Sequence, residues 1–512
     1  MNWQGNTLVL STLILATGMS CSSAEHELSV REIEREIDCA VYGCDQLQKS
    51  LSDRALLTEY SSLCIDRGGT NVWTRALQKA LEEHAVVCIP ASDDVYYVDA
   101  TLVIPSNRRI EAEGATVRLM DGVATVLLRN ANTPDGTLAP IQPGRRDDNI
   151  AIVGGRWEDN CTSRAGYGMS GRYDMGSRKV GRHYGVSALF YFGNVNHLTI
   201  RDATFFHCGG FAVQIGDADS ICLERIRFDR CFADGLHMNG NVSRVKVREV
   251  CGQVGDDLVA LNAYDWLDSS VNFGPQRYIL CEDLELVRHP DVPTYPALRI
   301  LPAKYRYADG TVVDCAISDV IFRRVKGITT YKMYMQTPGY AIGSEPEWGE
   351  VGSGGNLFFF DLEIDLDAPI DNVGQYATQE APRGHFAAFE FGANLSLVHF
   401  KNVDITFHAD KWPLTHLIQV GPKSCFIPDK DGKLGMKEIF DPYLSCHVGK
   451  VVLENVRTHG VVPKKLVYAS SFDNVNRDGR STGRGIIDKI ERINERTSVE
   501  TNNARAKGHS AL

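Results

Sequence analysis

Residues 198–258 read LTIRDATFFHCGGFAVQIGDADSICLERIRFDRCFADGLHMNGNVSRVKVREVCGQVGDDL. Short β-branched runs alternate with Gly, Asp and Asn, the pattern of brief strands punctuated by turns. Three runs superimpose: Ile200, Leu223 and Val247 each close a short apolar strand, at spacings of 23 and 24 residues. A second set, Phe211, Leu236 and Leu258, falls at spacings of 25 and 22. A repeat of this size matches one turn of a parallel β-helix, where equivalent residues of adjacent coils stack about 4.8 Å apart. A β-sandwich also has evenly spaced short strands, but nothing in it keeps three consecutive runs in register. The expected fold is all-β: a single-stranded right-handed parallel β-helix.

The same texture runs outward in both directions. Ala85-Val-Val-Cys-Ile, Ala151-Ile-Val, Val320-Ile-Phe and Val451-Val-Leu are further strands, so the β-helix is assigned to residues 61–475. Ahead of them, Asn71 to Glu83 places Trp73, Leu77 and Leu81 on one helical face with Asn71 as its cap, predicting an N-terminal capping helix over the first coil. Residues 25–60 are charged and Ser-rich and read as a helical or loosely structured extension; residues 476–512 read as a polar, peripheral tail. Leu8 to Met19 followed by small residues has the form of a signal peptide ending near residue 24. Gly18-Met19-Ser20-Cys21 also resembles a lipoprotein signal, so the expectation is a secreted or periplasmic protein, either free or held at the cell surface through Cys21. No other run is long and apolar enough to be a membrane span.

Composition narrows the function. The 512 residues are 43% apolar, carry a formal net charge of -11 and have a pI near 5.7, against the basic stripe that nucleic-acid binding needs. A local cationic pocket for an acidic polysaccharide is still compatible with that balance. Among fourteen cysteines, Cys39 and Cys44 are the expected local disulfide, whereas Cys208, Cys222, Cys231 and Cys251 sit in strand-like runs as small apolar residues. No paired CxxC spacing indicates a structural metal, and no cofactor is implied.

The two sets of runs align Gly209, Asp234 and Asp256 in one column and Gly210, Gly235 and Asp257 in the next. Asp and Gly fill solenoid turns for conformational reasons. Stacked like charges, however, destabilise a fold unless something compensates, so three acids in adjacent columns point to a site. Carboxylates this close cannot all ionise freely, and one protonated acid beside an ionised base is what glycoside hydrolysis uses. The adjoining glycines are expected to leave room for a ligand.

Phe232-Ala-Asp234-Gly235, Gly255-Asp256-Asp257 and Ala297-Leu-Arg299-Ile300 resemble the polygalacturonase-like glycoside hydrolases of family 28, within the pectin-lyase-like β-helix superfamily. Asp66-Arg-Gly-Gly-Thr and Val153-Gly-Gly-Arg-Trp-Glu-Asp extend the resemblance over residues 64–330. It implies an inverting hydrolase of pectic or other uronic-acid-containing glycans, with Asp256 as general acid and Asp234 with Asp257 positioning water. It implies Arg299 in substrate binding. Leu301 stands where the family pattern has a lysine, and Lys304 is the expected substitute; the family's Gly-His-Gly is absent, and His237 is the candidate to take over its orienting role. Asn239, Asn262 and Trp266 are assigned to sugar subsites, with Tyr264 and Asp265 beside them. Two other readings stay open: a lyase or epimerase whose Asp cluster binds Ca²⁺, and a carbohydrate-binding β-helix without catalysis.

Overall fold

The structure, a computed structural model, describes residues 21–133, 145–163, 188–264, 271–288, 297–307, 309–333, 346–367, 386–411, 415–421, 445–469 and 484–494. Among the described residues, twenty-seven strands join in one hydrogen-bonded sheet, in which strands pair in parallel with those one turn of chain away, apart from the short antiparallel pair Ile65–Asp66 and Asn71–Val72. The fold is the expected right-handed parallel β-helix, with the handedness that parallel crossover connections adopt.

The column through Ile200, Leu223 and Val247 is present and continues through Cys281, Phe322, Phe359 and Phe400. Its three phenylalanines stack face to face, at 5.4 Å and 5.1 Å between ring centroids. Such stacking adds to the burial of each ring and holds adjacent coils in register. The second column differs from expectation. Leu236 pairs with Val213 and with Val259, whereas Phe211 pairs with Ala188. Both steps are 23 residues, because the backbone ladder runs from Ala212 N–H to Asp234 O and from Gly235 N–H to Asp257 O. The sequence alignment slipped here because the wall has two consecutive inward residues, Leu258 and Val259, where simple alternation allows one.

The turns explain the polar punctuation. Asp202, Arg225, Asp283, Arg324, Asp361 and Asn402 all have φ between 52° and 57°. Each keeps its side chain outside the wall, where Arg225 pairs with Asp202, Arg324 with Asp283, and Asn402 donates to Asp361. Polar residues tolerate the left-handed conformation and satisfy one another along the stack.

Two helices cover the solenoid. Helix α2, Thr74–Glu83, buries Ala76, Leu77, Ala80 and Leu81 against the first coils as expected. Asn71 does not cap it: Asn71–Val72 is a short strand paired with Ile65–Asp66, and the cap position is Trp73, whose N–H is bound to Tyr97 O. Helix α1, Cys21–Lys49, is a single 29-residue helix docked along the solenoid. About 43 Å of helix spans about nine coils. Gln48 bonds Asn149 at one end, and Glu34 pairs with Arg323 toward the other. Ile33 and Ile37 bury against Leu280, Ile321, Phe358, Phe360, Leu397 and Val452. The apolar seam lies between these two polar contacts.

Two expectations are corrected here. Cys39 and Cys44 form no disulfide, since five residues apart on α1 they project about 140° from one another. Cys39 is exposed, and Cys44 is buried with its thiol donating to Ser220 O. Within the segment read as a polar tail, Arg484–Ile493 pairs with Ser445–Val461 as a further rung. Residues 1–20 lie outside the described residues. No helix among the described residues is long and apolar enough to cross a membrane.

The α1 seam makes a prediction. Ile37→Asp places a charge in a site with no exposure and should release α1, costing at least the roughly 2–5 kcal/mol of a truncated buried isoleucine. Limited proteolysis should then cut within residues 30–49 and a hydrophobic dye should bind, while far-ultraviolet circular dichroism keeps its β signal. Protection equal to wild type would show that the seam does not hold the helix.

Candidate active site

The outward face of the strands Phe211–Asp229, Leu236–Gly252, Asp257–Asn262, Ala297–Leu301 and Thr330–Lys332 carries the polar cluster. One register position gives Gln214, His237, Ala260, Arg299 and Lys332 in succession. A shift in register lies between Asp257 and Ala260 against the following strand. That extra residue lets Leu258 and Val259 both face the core while Asp257 and Ala260 both face out, the way bulges re-aim side chains. Gly235 has a different role from the one expected. A Cβ there would meet Phe228 at 2.6 Å and Leu258 O at 2.8 Å, so the glycine makes room inside the wall rather than for a ligand.

The offset of 23 sets Asp257, not Asp256, directly beside Asp234, and Asp257 N–H donates to Asp234 Oδ1 at 3.2 Å. Asp234, Asp256 and Asp257 bring one oxygen each within 4.8 Å of one another. Asp234 and Asp257 are fully buried, while the Asp256 side chain keeps 14% exposure and is the member that reaches solvent.

Two cations compensate the charge. Arg299 lies 2.6 Å from Asp257 and 3.2 Å from Asp256; Lys332 Nζ lies 2.9 Å from Asp257 and 3.2 Å from Asp256. Like charges about 4.8 Å apart repel by roughly 3 kcal/mol at an effective dielectric of 20, and each opposite-charge contact near 3 Å returns more. Burial pushes the Asp257 carboxyl up to about 7, with Arg299 and Lys332 opposing and Asp256 and Asp234 reinforcing the rise. Burial disfavours the Lys332 ammonium, but Asp256 and Asp257 outweigh it and raise its proton affinity.

Asp234 is oriented from its other side. His237 Nδ1 is 2.6 Å from Asp234 Oδ2, and the ring lies flat on Phe211 at 3.9 Å. Asn239 Oδ1 accepts from Val271 N–H and Gln214 Nε2, which turns the Asn239 amide nitrogen toward His237 Nε2 at 3.1 Å. His237 thus contacts Asp234 directly and is itself held by Phe211 and Asn239. Asn262 stacks next to Asn239 in the adjoining, buried column.

The other expected site residues fall elsewhere. Lys304 sits on Ala303–Tyr307, which leaves the solenoid for a three-stranded antiparallel sheet, and pairs with Glu350 at 2.8 Å. The lysine that stands beside Arg299 is instead Lys332, 33 residues further along the chain. Tyr264 is a core residue against Phe273. Trp266 and Asp265 lie outside the described residues. A groove of about 920 Å³ on another face, lined by Asp283, Arg324, Asp361 and Asp404 among others, includes none of the three carboxylates.

The residues also test a metal. Three converging oxygens suit a divalent cation, but Arg299 and Lys332 already contact Asp256 and Asp257 at ion-pair distance. The cluster supplies its own counter-charge and does not fit a Ca²⁺ site of several free oxygens.

The chain path is that of a β-helix. It is similar to a hyperthermoactive exopolygalacturonase from Thermotoga maritima, with a TM-score of 0.46, 10% identity and coverage of 89% of this chain and 96% of that one. It is similar to a family 28 exopolygalacturonase from Yersinia enterocolitica (TM-score 0.41, 10% identity, 87% and 79% covered) and to a mannuronan C-5 epimerase module from Azotobacter vinelandii (0.38, 9%, 86% and 100%). A scan of family models and a search of curated proteins each find no match.

A raised Asp257 gives the folded state more bound protons than the unfolded chain between its ordinary range near 3.8 and about 7. Its contribution to stability is then full below about pH 4 and is lost as the pH rises through about 7. Melting temperatures measured from pH 4 to pH 8 should fall more steeply with pH for wild type than for Asp257→Asn. Parallel curves would show that Asp257 titrates as it does in the unfolded chain.

Proposed function

We propose that the protein is a glycoside hydrolase acting on a polysaccharide or oligosaccharide, with chemistry at Asp234, Asp256 and Asp257. The observation that carries this reading is the asymmetry of the three acids. Two are sealed and oriented, one reaches the surface, and the buried neighbour of that one has its proton affinity raised by burial. Asp256 and Asp257 are adjacent and share Arg299 and Lys332. Below about pH 7 Asp257 holds a proton, which passes to the adjacent Asp256 and from it to the leaving oxygen. Asp234, fixed by His237, and Asp257 act on the water side. Arg299 and Lys332 hold both acids in place and limit the charge that develops between them.

The close packing of the oxygens bears on stereochemistry. Inverting pairs typically stand roughly 6.5–9.5 Å apart to admit a water, and retaining pairs about 5–5.5 Å. Oxygens within 4.8 Å fall short of the inverting spacing implied by the family resemblance, so water would have to enter beside the pair rather than between its members. The anomer released, read by proton NMR, decides between the two outcomes.

A lyase would need an Arg or Lys free to abstract a proton, whereas Arg299 and Lys332 are committed to carboxylates; this favours hydrolysis. The test is Asp256→Asn, screened with wild type for reducing-end release from neutral and acidic plant and algal glycans. The expected outcome is a loss of about 10²–10⁴-fold, the usual worth of a positioned general acid, with an unchanged melting curve and no unsaturated uronic product from wild type. Full turnover by the variant, or a chelator-sensitive ultraviolet-absorbing product, contradicts the assignment.

A further inference from the structure

The turn that delivers Asp234 begins with a cation. Arg230 stands at one end of residues 230–235 and Asp234 near the other, four residues apart and so within about 14 Å. Arg230 belongs to a strip that crosses four coils, in which Arg118, Glu158, Phe206 and Asp229 occupy one register position. Between Arg230 and Asp234 lies Phe232, partly exposed, with Gly209 and Gly255 as its neighbours on the adjoining coils.

Phe206 organises the strip. The Arg156 guanidinium lies over its ring at 3.8 Å from the centroid and that of Arg230 at 4.7 Å, while the His207 ring is stacked on it at 3.8 Å. Such contact uses the flat face of a guanidinium and leaves the N–H donors free around its edge. Arg156 Nε donates to Glu158 at 2.5 Å, and Asp229 stands between the two cations, 3.6 Å from Arg156 Nη1 and 3.3 Å from Arg230 Nε. Glu158 also pairs with Arg118, so three guanidiniums are served by two carboxylates. Among the described residues, Arg156 Nη2 and both amino groups of Arg230 have no hydrogen-bond partner. The two side chains keep 34% and 39% exposure, and none of these donors is buried.

We propose that Arg156 and Arg230 form a binding position for an oxyanion substituent, a carboxylate or a sulfate ester, carried by a sugar unit beside the one being cut. The inference rests on the glycan-acting reading above. A fork of coplanar N–H donors matches either oxyanion, and two guanidiniums held on one ring are oriented before the ligand arrives. The chain carries a formal net charge of -11, so an anionic glycan needs a local cationic spot at which to dock. Arg299 and Lys332 are already shared by Asp256 and Asp257, whereas Asp229 engages only one nitrogen of each guanidinium in the strip. Phe232, between this position and Asp234, offers an apolar edge to the intervening sugar.

The test uses the full chain carrying Asp256→Asn, titrated calorimetrically with galactose oligomers of matched length in three forms: neutral, oxidised at C6 to the uronate, and sulfated. Adding Arg230→Gln is expected to weaken binding of one or both anionic forms about 10-fold, the worth of a charge-assisted hydrogen bond, to leave the neutral form unchanged and to keep the melting temperature of the parent. A loss confined to the uronate or to the sulfated form names the oxyanion. Arg230→Lys, which keeps the charge and loses the fork, should fall between the parent and Arg230→Gln. Added salt should erode anion binding by the parent more than by Arg230→Gln. Binding of the neutral form alone, equal losses for neutral and anionic forms, or no loss with either anionic form each overturn the inference while the glycan reading stands. If no form binds the parent Asp256→Asn protein, the glycan reading fails, and this position with it.

Discussion

Backbone register between successive coils is the constraint from which the rest of the structure follows. Each strand must meet its neighbour one turn later, at a fixed rise, with inward residues over inward residues. A slip of one residue would turn Leu236 and Val259 out and bring His237 and Ala260 into the core. Stacked apolar side chains such as Phe322, Phe359 and Phe400 oppose that slip on every coil. The irregular stretch from Asp257 to Ala260 is therefore informative, because it departs from simple alternation where an acid must face outward.

Register also decides whether three acids can share one place. Brought together by the coil geometry alone, Asp234, Asp256 and Asp257 would weaken the fold. Arg299 and Lys332 come from the next two coils and are set beside the acids by the same ladder. The arrangement is charge-compensated, and burial keeps the proton affinity of Asp257 high against the pull of Arg299 and Lys332. A fully neutralised cluster would be more stable and less able to exchange a proton. Fold and chemistry meet in this one arrangement, since the ladder that fixes the coils also fixes which side chains can share a proton.

Much of this was legible in the sequence, and the failures have physical causes. The column Ile200, Leu223, Val247 could be read because those coils are nearly equal in length. Beyond Val247 the steps lengthen, to 41 between Phe359 and Phe400, so a coil length of 23 to 25 residues does not bring Lys332 beside Arg299. Simple alternation through the bulge places Asp256 beside Asp234, whereas the register sets Asp257 there. The glycine at 235 was read as space for a ligand, when Phe228 fills the volume on the inner side. The seam of α1 went unrecognised because Ile33 and Ile37 bury against residues from several distant coils, and no local pattern records that.

Lys332 and Asp257, brought together only by coil register, should act as one energetic unit. A double-mutant cycle on Lys332→Met and Asp257→Asn, read by urea unfolding at neutral pH, measures it directly. Lys332→Met alone is expected to destabilise the fold by about 3–5 kcal/mol, since it strands buried carboxylates. The two substitutions are expected to couple by about 1–3 kcal/mol. Additive effects, within about 0.5 kcal/mol, would contradict it.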